Sequence, residues 1–544
     1  MNETAQAAHS HVHLFGDPEE NFYALGVKDK DSYQEIYEQI TRLCARADFL
    51  AKALKLSTEL AVNLGNRGSI NLSKEIKAYA EGLGRPVNDV YFSILLPEIV
   101  ASFNKWLPSL MSIIPGCSSL FVTDPRGKGV IHGRVLDYAL AGPFEKYERS
   151  ASYHFKDRLK IFTHTTAGMP FPALSSMNDR GLTLALHYKH GNYLDLKGDS
   201  IFSIAYQIIS FCSDIHEVKK FLKNYPSMSH WGLYLSDRNG EVASIDVRGR
   251  EIYQEKFDLK EYPYLYFNNR PLLKDPAFKA AQPYGATQQC KMRRDSISER
   301  LKDIKQRKAK GQIDDQWALK TLASPDSKKG SASKDWKMDV ITPSSLQVVV
   351  FNSHSMESLS IPGPSPKIFQ GKFLSFKDLF NQPEWSLQEV KTKVDPNYIQ
   401  AYQFLAQFQS QLDAGRIEAA YHNIQMSFEL FGDGDRPERN IVSFYFLILQ
   451  YLYETNHKDF AYLYNDFEEL EGQLPEYLED HRKLFLMRLQ KILGHPVKAA
   501  PGDIKNPNLS RLFDKERKLR PQAIKMLKKF IFPRVEMLDV IYAY

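Results

Sequence analysis

The sequence predicts an α+β protein, with a strand-rich middle between two helical ends. Three observations carry this. Apolar residues recur at three- and four-residue spacing from about Ser32 to Asn104, the period of an amphipathic helix. From Cys117 the texture changes to short alternating or apolar runs broken by turn residues. After about Val394 the helical spacing returns and holds to the end. At 544 residues the chain exceeds what one core organises, so two to four domains are expected.

The N-terminal 20 residues are polar and read as a frayed end, on which His9, His11 and His13 alternate and suggest no more than adventitious metal binding. Helices follow in YQEIYEQITRLCARADFLAKAL and LSKEIKAYAEGLGRPVNDVYFSILLPEIV. SSLFVTDPRGKGVIHGRVLDY reads as strand, turn, strand. LKIFTHTTAG and GLTLALHYKHG are further strands, and SIFSIAYQIISFC and IHEVKKFLKNY are helices. WGLYLSDRNGEVASIDV is a hairpin turning on Asp-Arg-Asn-Gly, and SLQVVVFNSHSMESLSIPG is another, closed by Pro362 and Pro364. KMRRDSISERLKDIKQ is a basic helix, and the stretch from Ser324 to Lys337 an exposed loop. Beyond Val394, two helical pairs meet at Ala-Gly-Arg and at Thr-Asn-His, about 40 residues apart, close to a tetratricopeptide spacing.

Composition narrows the function classes. With 43% hydrophobic and 25% charged residues the chain is ordinary for a globular protein rather than a disordered one. The formal charge of +6 is a small excess for this length and gives no argument for nucleic acid or membrane. Cys44, Cys117, Cys212 and Cys290 lack metal-type spacing, and His164, His187 and His190 form no ligand triad that sequence establishes. No phosphate loop or dinucleotide fingerprint is present, so no metal and no cofactor is expected. No secretory pattern opens the chain and no apolar run nears the roughly 20 residues of a membrane span. A reducing, cytoplasmic setting with free thiols is therefore expected. The basic tail LSRLFDKERKLRPQAIKMLKKFIFPR reads as a helix packed on the protein with a solvated face.

The chemistry gathers around Cys117. It follows Pro-Gly at the end of a helical region and opens a strand. A hairpin of this length returns Arg134 and Asp137 beside it. A cation next to a thiol favours the nucleophilic thiolate, and a carboxylate there can orient an amine.

This set resembles the cysteine branch of the N-terminal-nucleophile hydrolases, which includes choloylglycine hydrolase, penicillin V acylase and acid ceramidase. Its texture is most similar to the penicillin acyltransferase family (acyl-coenzyme A:aminopenicillanic acid acyltransferase). The matching residues are Ala80-Glu81-Gly82-Leu83-Gly84, Cys117, and Gly133-Arg134-Val135-Leu136-Asp137, followed by Met177-Asn178-Asp179-Arg180-Gly181-Leu182, Asp237-Arg238-Asn239-Gly240-Glu241 and Asn268-Asn269-Arg270-Pro271-Leu272. The resemblance implies a four-layer αββα core over residues 117–385 after a helical leader over 1–116, and the returning helical spacing marks a helical C-terminal domain over 395–544. The resemblance also implies self-cleavage before Cys117, after which the new α-amine serves as general base. An α-amine has a pKa of about 8, suited to that role. Asp137 would hold the amine, Arg134 would favour the thiolate, and an Asn would donate to the oxyanion. Aligning Asn-Asn-Arg-Pro-Leu with the family texture selects Asn269 over Asn268. The residue after this Asn is often His in the family and is Arg270 here. The family's later arginine has two candidates, Arg293 and Arg294, which spacing does not separate; Arg294 is the one expected in the site.

The expected function is thus a self-processing cysteine amidohydrolase acting on linear amides of a small N-acyl substrate, through a thioester on Cys117. Leader and core subunits are expected to stay associated. The alternatives are an acyltransferase, which passes the acyl group to an amine, and a catalytically idle scaffold. No nucleic acid and no membrane span are expected, and the C-terminal helices are a candidate surface for a protein partner.

Overall fold

The computed structural model describes residues 9–45, 55–56, 59, 73–103, 116–126, 129–138, 142–189, 193–195, 197–272, 284–324, 339–392, 394–432 and 437–542. The expected loop from Ser324 to Lys337 lies almost wholly outside them. The chain divides into two compact units. The first holds residues 1–283, 290–325 and 339–393; the second holds 284–289, 326–338 and 394–544.

The first unit is α+β and is built on two sheets. One sheet has eight strands: β1 (Ser10–Gly16), β4 (Glu148–Phe155), β5 (Ile161–Thr166), β6 (Ser175–Asn178), β7 (Thr183–Tyr188), β8 (His230–Ser236), β9 (Glu241–Arg248) and β10 (Glu251–Asp258), in that spatial order. β1 runs parallel to β4, and the remaining neighbours are antiparallel. The other sheet has seven: β11 (Leu265–Phe267), β2 (Gly116–Thr123), β3 (Val130–Asp137), β12 (Ser345–Asn352), β13 (Glu357–Ser360), β14 (Lys372–Lys377) and β15 (Glu384–Glu389).

The sheets bury one face against each other. Phe162 and Met177 of the first meet Val349, Phe351 and Phe376 of the second. Phe121, Val130 and Leu265 of the second meet Ala185, Tyr234 and Val242 of the first. The opposite face of the eight-stranded sheet is covered by helices Pro18–Ala45, Ser73–Leu83, Val87–Phe103, Ile201–Phe211 and Ile215–Leu222. Helix Asp315–Ala323 lies on the outer face of β3, so closely that a Cβ on Gly133 would stand 2.6 Å from Leu322 Cδ1. Because both faces are covered, every residue of β3, β7, β8 and β12 is buried, and polar residues in them must find partners inside the protein.

The frayed N-terminus expected from its polarity is instead strand β1. Val12 and Leu14 are buried, while His9 and His11 lie against Trp385, with Phe376 beside His9 and Phe162 stacked on His11. Pairing with β4 satisfies the backbone, and the imidazoles act as aromatic cover. Strands β4, β6, β10, β11, β14 and β15 had no clear sequence signal. The two outer ones, β10 and β15, are mostly exposed and lack apolar runs. The two strands of each expected hairpin pair as read: β2 with β3, β8 with β9, and β12 with β13.

In the second unit, helices Pro396–Asp413 and Ile417–Phe431 turn at Ala414-Gly415-Arg416, and Pro437–Tyr453 and His457–Glu469 turn at Asn456. A helix Glu476–Leu493, two short helices and a β-hairpin, β16 (Ile531–Arg534) with β17 (Asp539–Tyr542), complete it. Among the described residues no helix is long and apolar enough to cross a membrane.

Candidate active site

Residue parity on β2 and β3 sets the geometry. The register pairs Gly116 with Asp137, Cys117 with Leu136 and Ser119 with Arg134. Side chains alternate between faces, so Arg134 and Asp137, three apart, point to opposite sides of the sheet. Cys117, at the start of its strand, is reached from both.

On the inter-sheet side, Arg134 Nη2 stands 3.5 Å from Cys117 Sγ and donates to the Leu186 carbonyl at 2.6 Å. Its Nη1 donates to Ser175 Oγ at 2.7 Å, which passes a hydrogen bond to Gln347 Oε1. The thiol itself lies 3.5 Å from the Leu186 carbonyl. Burial pushes the thiol above its usual pKa, and Arg134 pulls against that. Cys117 is therefore favoured as a thiol, beside a cation that would stabilise its anion.

On the outer side, Arg293 ties the cluster together. Its Nη1 donates to the Cys117 carbonyl and to Asp137 Oδ2, each at 3.1 Å, and its Nη2 donates to Asn269 Oδ1 at 3.0 Å. Asp137 Oδ1 accepts from Ser345 Oγ at 2.5 Å. Burial raises the Asp137 carboxyl, opposed chiefly by Arg293. The carboxylate lies over the Cα of Gly116: a Cβ there would stand 2.7 Å from Asp137 Oδ2. A side chain before Cys117 would push the Asp137 carboxylate from its place.

Asn269 Oδ1 accepts the Cys117 backbone N–H at 2.9 Å, and its Nδ2 donates to the Tyr188 carbonyl at 3.0 Å. Two donors at one atom and a carbonyl at the other fix the amide orientation. The sequence-derived role for Asn269, donation to an oxyanion, is not the one displayed; here it holds the nitrogen of Cys117. Asn268 points away, donating to the Cys290 carbonyl at 2.8 Å.

Cys117, Arg134, Asp137 and Asn269 are thus brought together, and Arg294 is not. The arginine that the fold places in the cluster is Arg293, the other of the two candidates. On helix Tyr284–Arg300 the buried positions include Ala286, Cys290, Arg293 and Ile297, one helical stripe; Arg294 lies a further 100° round and is exposed. The apolar spacing of Ala286, Cys290, Ile297 and Leu301 in the sequence already carried this signal.

Two other motifs are structural. Asn178 caps the β6–β7 turn, accepting from Arg180 N and Leu182 N and donating to the carbonyls of Ile209 and Cys212. Asp237 closes the β8–β9 turn by accepting from Asn239 N and Glu241 N.

Sequence reasoning missed Lys189 and Asp246. Lys189 is fully buried just after β7, and its Nζ donates to the Arg270 carbonyl at 2.7 Å, to the Asn268 carbonyl at 3.4 Å and to Tyr234 Oη at 2.6 Å. Asp246 Oδ1 is 3.5 Å from Lys189 Nζ, and Oδ2 accepts from Leu272 N at 2.7 Å. Burial opposes both charges, yet each keeps its partner ionised. Together they grip the backbone on both sides of Asn269. An isolated Lys at a strand end gives no sign of this in sequence.

Around the thiol lies an apolar cluster of Phe92, Leu96, Ile99, Phe144, Met228 and Leu346. Among the described residues, no group of three or more His, Cys, Asp or Glu is placed to hold a metal.

No family model matches the chain. No curated protein matches it. Among solved structures it is similar to penicillin V acylase from Agrobacterium tumefaciens, at 12% identity over 46% of this chain and 84% of that chain, with a TM-score of 0.29. A likeness of that size is too slight to carry a functional assignment, and none is drawn from it.

Proposed function

We propose that this protein is a self-processing cysteine amidohydrolase of the N-terminal-nucleophile type, with a four-layer αββα core. The observation that carries the reading is the environment of one residue. The nitrogen of Cys117 is bonded to Asn269, its carbonyl to Arg293 and its thiol to Arg134, with the Asp137 carboxylate over the preceding glycine. A buried structural cysteine needs none of these.

In the proposed first step, Cys117 Sγ attacks the Gly116 carbonyl carbon. The Gly116–Cys117 C–N bond breaks, giving a thioester and a free α-amine, and water then hydrolyses the thioester. In each later turnover the amine takes the thiol proton. The thiolate adds to the amide carbonyl of the substrate, and the leaving amine departs with the proton. Water, deprotonated by the same amine, releases the acid. Asp137 and Asn269 hold the amine, Arg134 favours the thiolate, and Arg293 keeps Asp137 ionised. The apolar cluster around the thiol suits an apolar acyl group.

Intact-mass measurement tests the reading. Two fragments meeting between Gly116 and Cys117, with turnover of N-acyl amides, are expected. A chain that stays whole under every condition in which it hydrolyses amides removes self-processing. Full activity in Cys117→Ala removes the nucleophile.

A further inference from the structure

We propose that the C-terminal unit carries a docking surface for anionic lipid bilayers, built on residues 515–529. This stretch holds seven basic residues and one acidic, net +6, equal to the formal charge of the entire chain. The other 529 positions sum to zero, so the whole positive excess sits in one short surface segment.

The fold turns most of that excess outward, Lys528 being half-buried with its Nζ donating to the Glu454 carbonyl at 2.7 Å. Helices Pro507–Glu516 and Pro521–Leu527 bury Phe513 and Ile524, both at 0% exposure, and flank a connection whose Arg517, Lys518 and Arg520 are exposed. The acidic member, Glu516, is buried and neutralised internally by Arg488 at 2.6 and 2.7 Å. Asp514 pairs with Arg517 and Lys518 at the surface, where such pairs are weak and exchangeable. Among the described residues Lys515, Arg520, Lys525 and Lys529 form no ion pair.

The patch is not only charged. Met526 is 66% exposed, and Leu519 and Phe530 are each 37% exposed. A polyphosphate chain has no use for an exposed methionine and leucine, and sequence-blind nucleic-acid grooves pair charge with successive aromatic platforms, whereas this patch sets the single ring of Phe530 beside two aliphatic side chains. Aliphatic side chains set among lysines match the boundary between headgroups and acyl chains, where the ammonium meets lipid phosphate and the apolar group enters the hydrocarbon edge. The lysines are compact charges on flexible stems, suited to mobile headgroups rather than to fixed bidentate recognition. None of these residues belongs to the Cys117 cluster, so the inference stands apart from the proposed reaction.

Co-sedimentation of the full chain with vesicles tests it. Vesicles of phosphatidylcholine with phosphatidylserine are expected to bind at least about tenfold better than phosphatidylcholine alone, and the advantage should collapse near about 0.5 M salt. Each basic residue at such a surface is worth about fivefold in binding, so Lys525→Gln with Lys529→Gln should weaken it roughly twenty-fivefold. Leu519→Ser with Met526→Ser should weaken vesicle binding severalfold while leaving heparin retention unchanged. Circular dichroism of each variant confirms that it is folded. Absence of binding to the anionic vesicles, or equal binding to both compositions, overturns the proposal. So does vesicle binding unaffected by the Leu519 and Met526 changes, which would mark a general polyanion surface of the kind nucleic acid or an acidic protein uses.

Discussion

Each polar group of Cys117 is bonded to a different residue, and the consequences separate cleanly by substitution. Cys117→Ala should abolish both self-cleavage and amide hydrolysis, by roughly a thousandfold or more. It should leave the fold intact, since one sulfur is lost from a small site. Mass and rate measurements check the first, and thermal unfolding the second. Asp137→Asn should lower kcat by about a hundredfold or more with little change in KM, because the carboxylate orients an amine only as the reaction proceeds. An unchanged kcat with a raised KM would place Asp137 in substrate binding instead. The adjacent arginines provide an internal control. Arg293→Met strips the buried Asp137 of its cation, a change of about 3–5 kcal/mol for such a pair, and should disable the site. Arg294→Ala is an exposed change that should stay within about 0.5 kcal/mol and leave the rate alone.

Strand ends and the loop after β11 do the positioning. The carbonyls of Leu186 and Tyr188 on β7 receive Arg134 and Asn269, and Lys189, the next residue, holds the loop that carries Asn269. Lys189→Met should therefore reduce turnover in the wild-type background and add little in an Asn269→Ala background, a non-additivity that a double-mutant cycle measures. Additive losses would mean general destabilisation. A second buried charge acts on stability. Glu98 of helix Val87–Phe103 is fully buried, accepts from Ser200 Oγ, Ile201 N and Ser229 Oγ, and has its pKa raised to about 7, chiefly by burial. A carboxyl raised in the folded state stabilises fully below its unfolded value of 4.5 and loses that contribution as pH rises through about 7. Denaturant unfolding should show wild type losing stability relative to Glu98→Gln between those two pH values. Parallel curves would refute the assignment.

The segment before Cys117 belongs to the first compact unit together with the strands that follow it. β1 completes the eight-stranded sheet, the Asp29 carboxylate accepts from Arg149 Nη2 of β4 at 2.9 Å, and Phe22, Tyr79 and Val90 are wholly buried. Each such apolar side chain is worth about 1.5–3 kcal/mol. If the bond before Cys117 is cut, the two fragments should therefore co-elute in size-exclusion chromatography and part only in denaturant. Separation under native conditions would contradict this.

The sequence by itself determined the α+β texture, the hairpins and the nucleophile candidate with its two strand-borne partners, because these depend on local spacing. The Asp-Pro-Arg-Gly-Lys-Gly turn between two strand-like runs marks the β2–β3 hairpin, and its register returns Arg134 and Asp137 to Cys117. Tertiary structure decided the rest. Arg293 rather than Arg294 is a matter of helix phase against a sheet. Lys189, just after β7, and Asp246 of β9 act on the Asn269 loop, neither adjacent to it in sequence. β1 became a strand although its polarity marked a loose end, because an existing sheet edge and the rings of Phe162 and Trp385 supply what its own side chains lack. Long-range contacts of this kind leave no periodic trace in a single chain, since each side chain's role depends on what the fold brings opposite it.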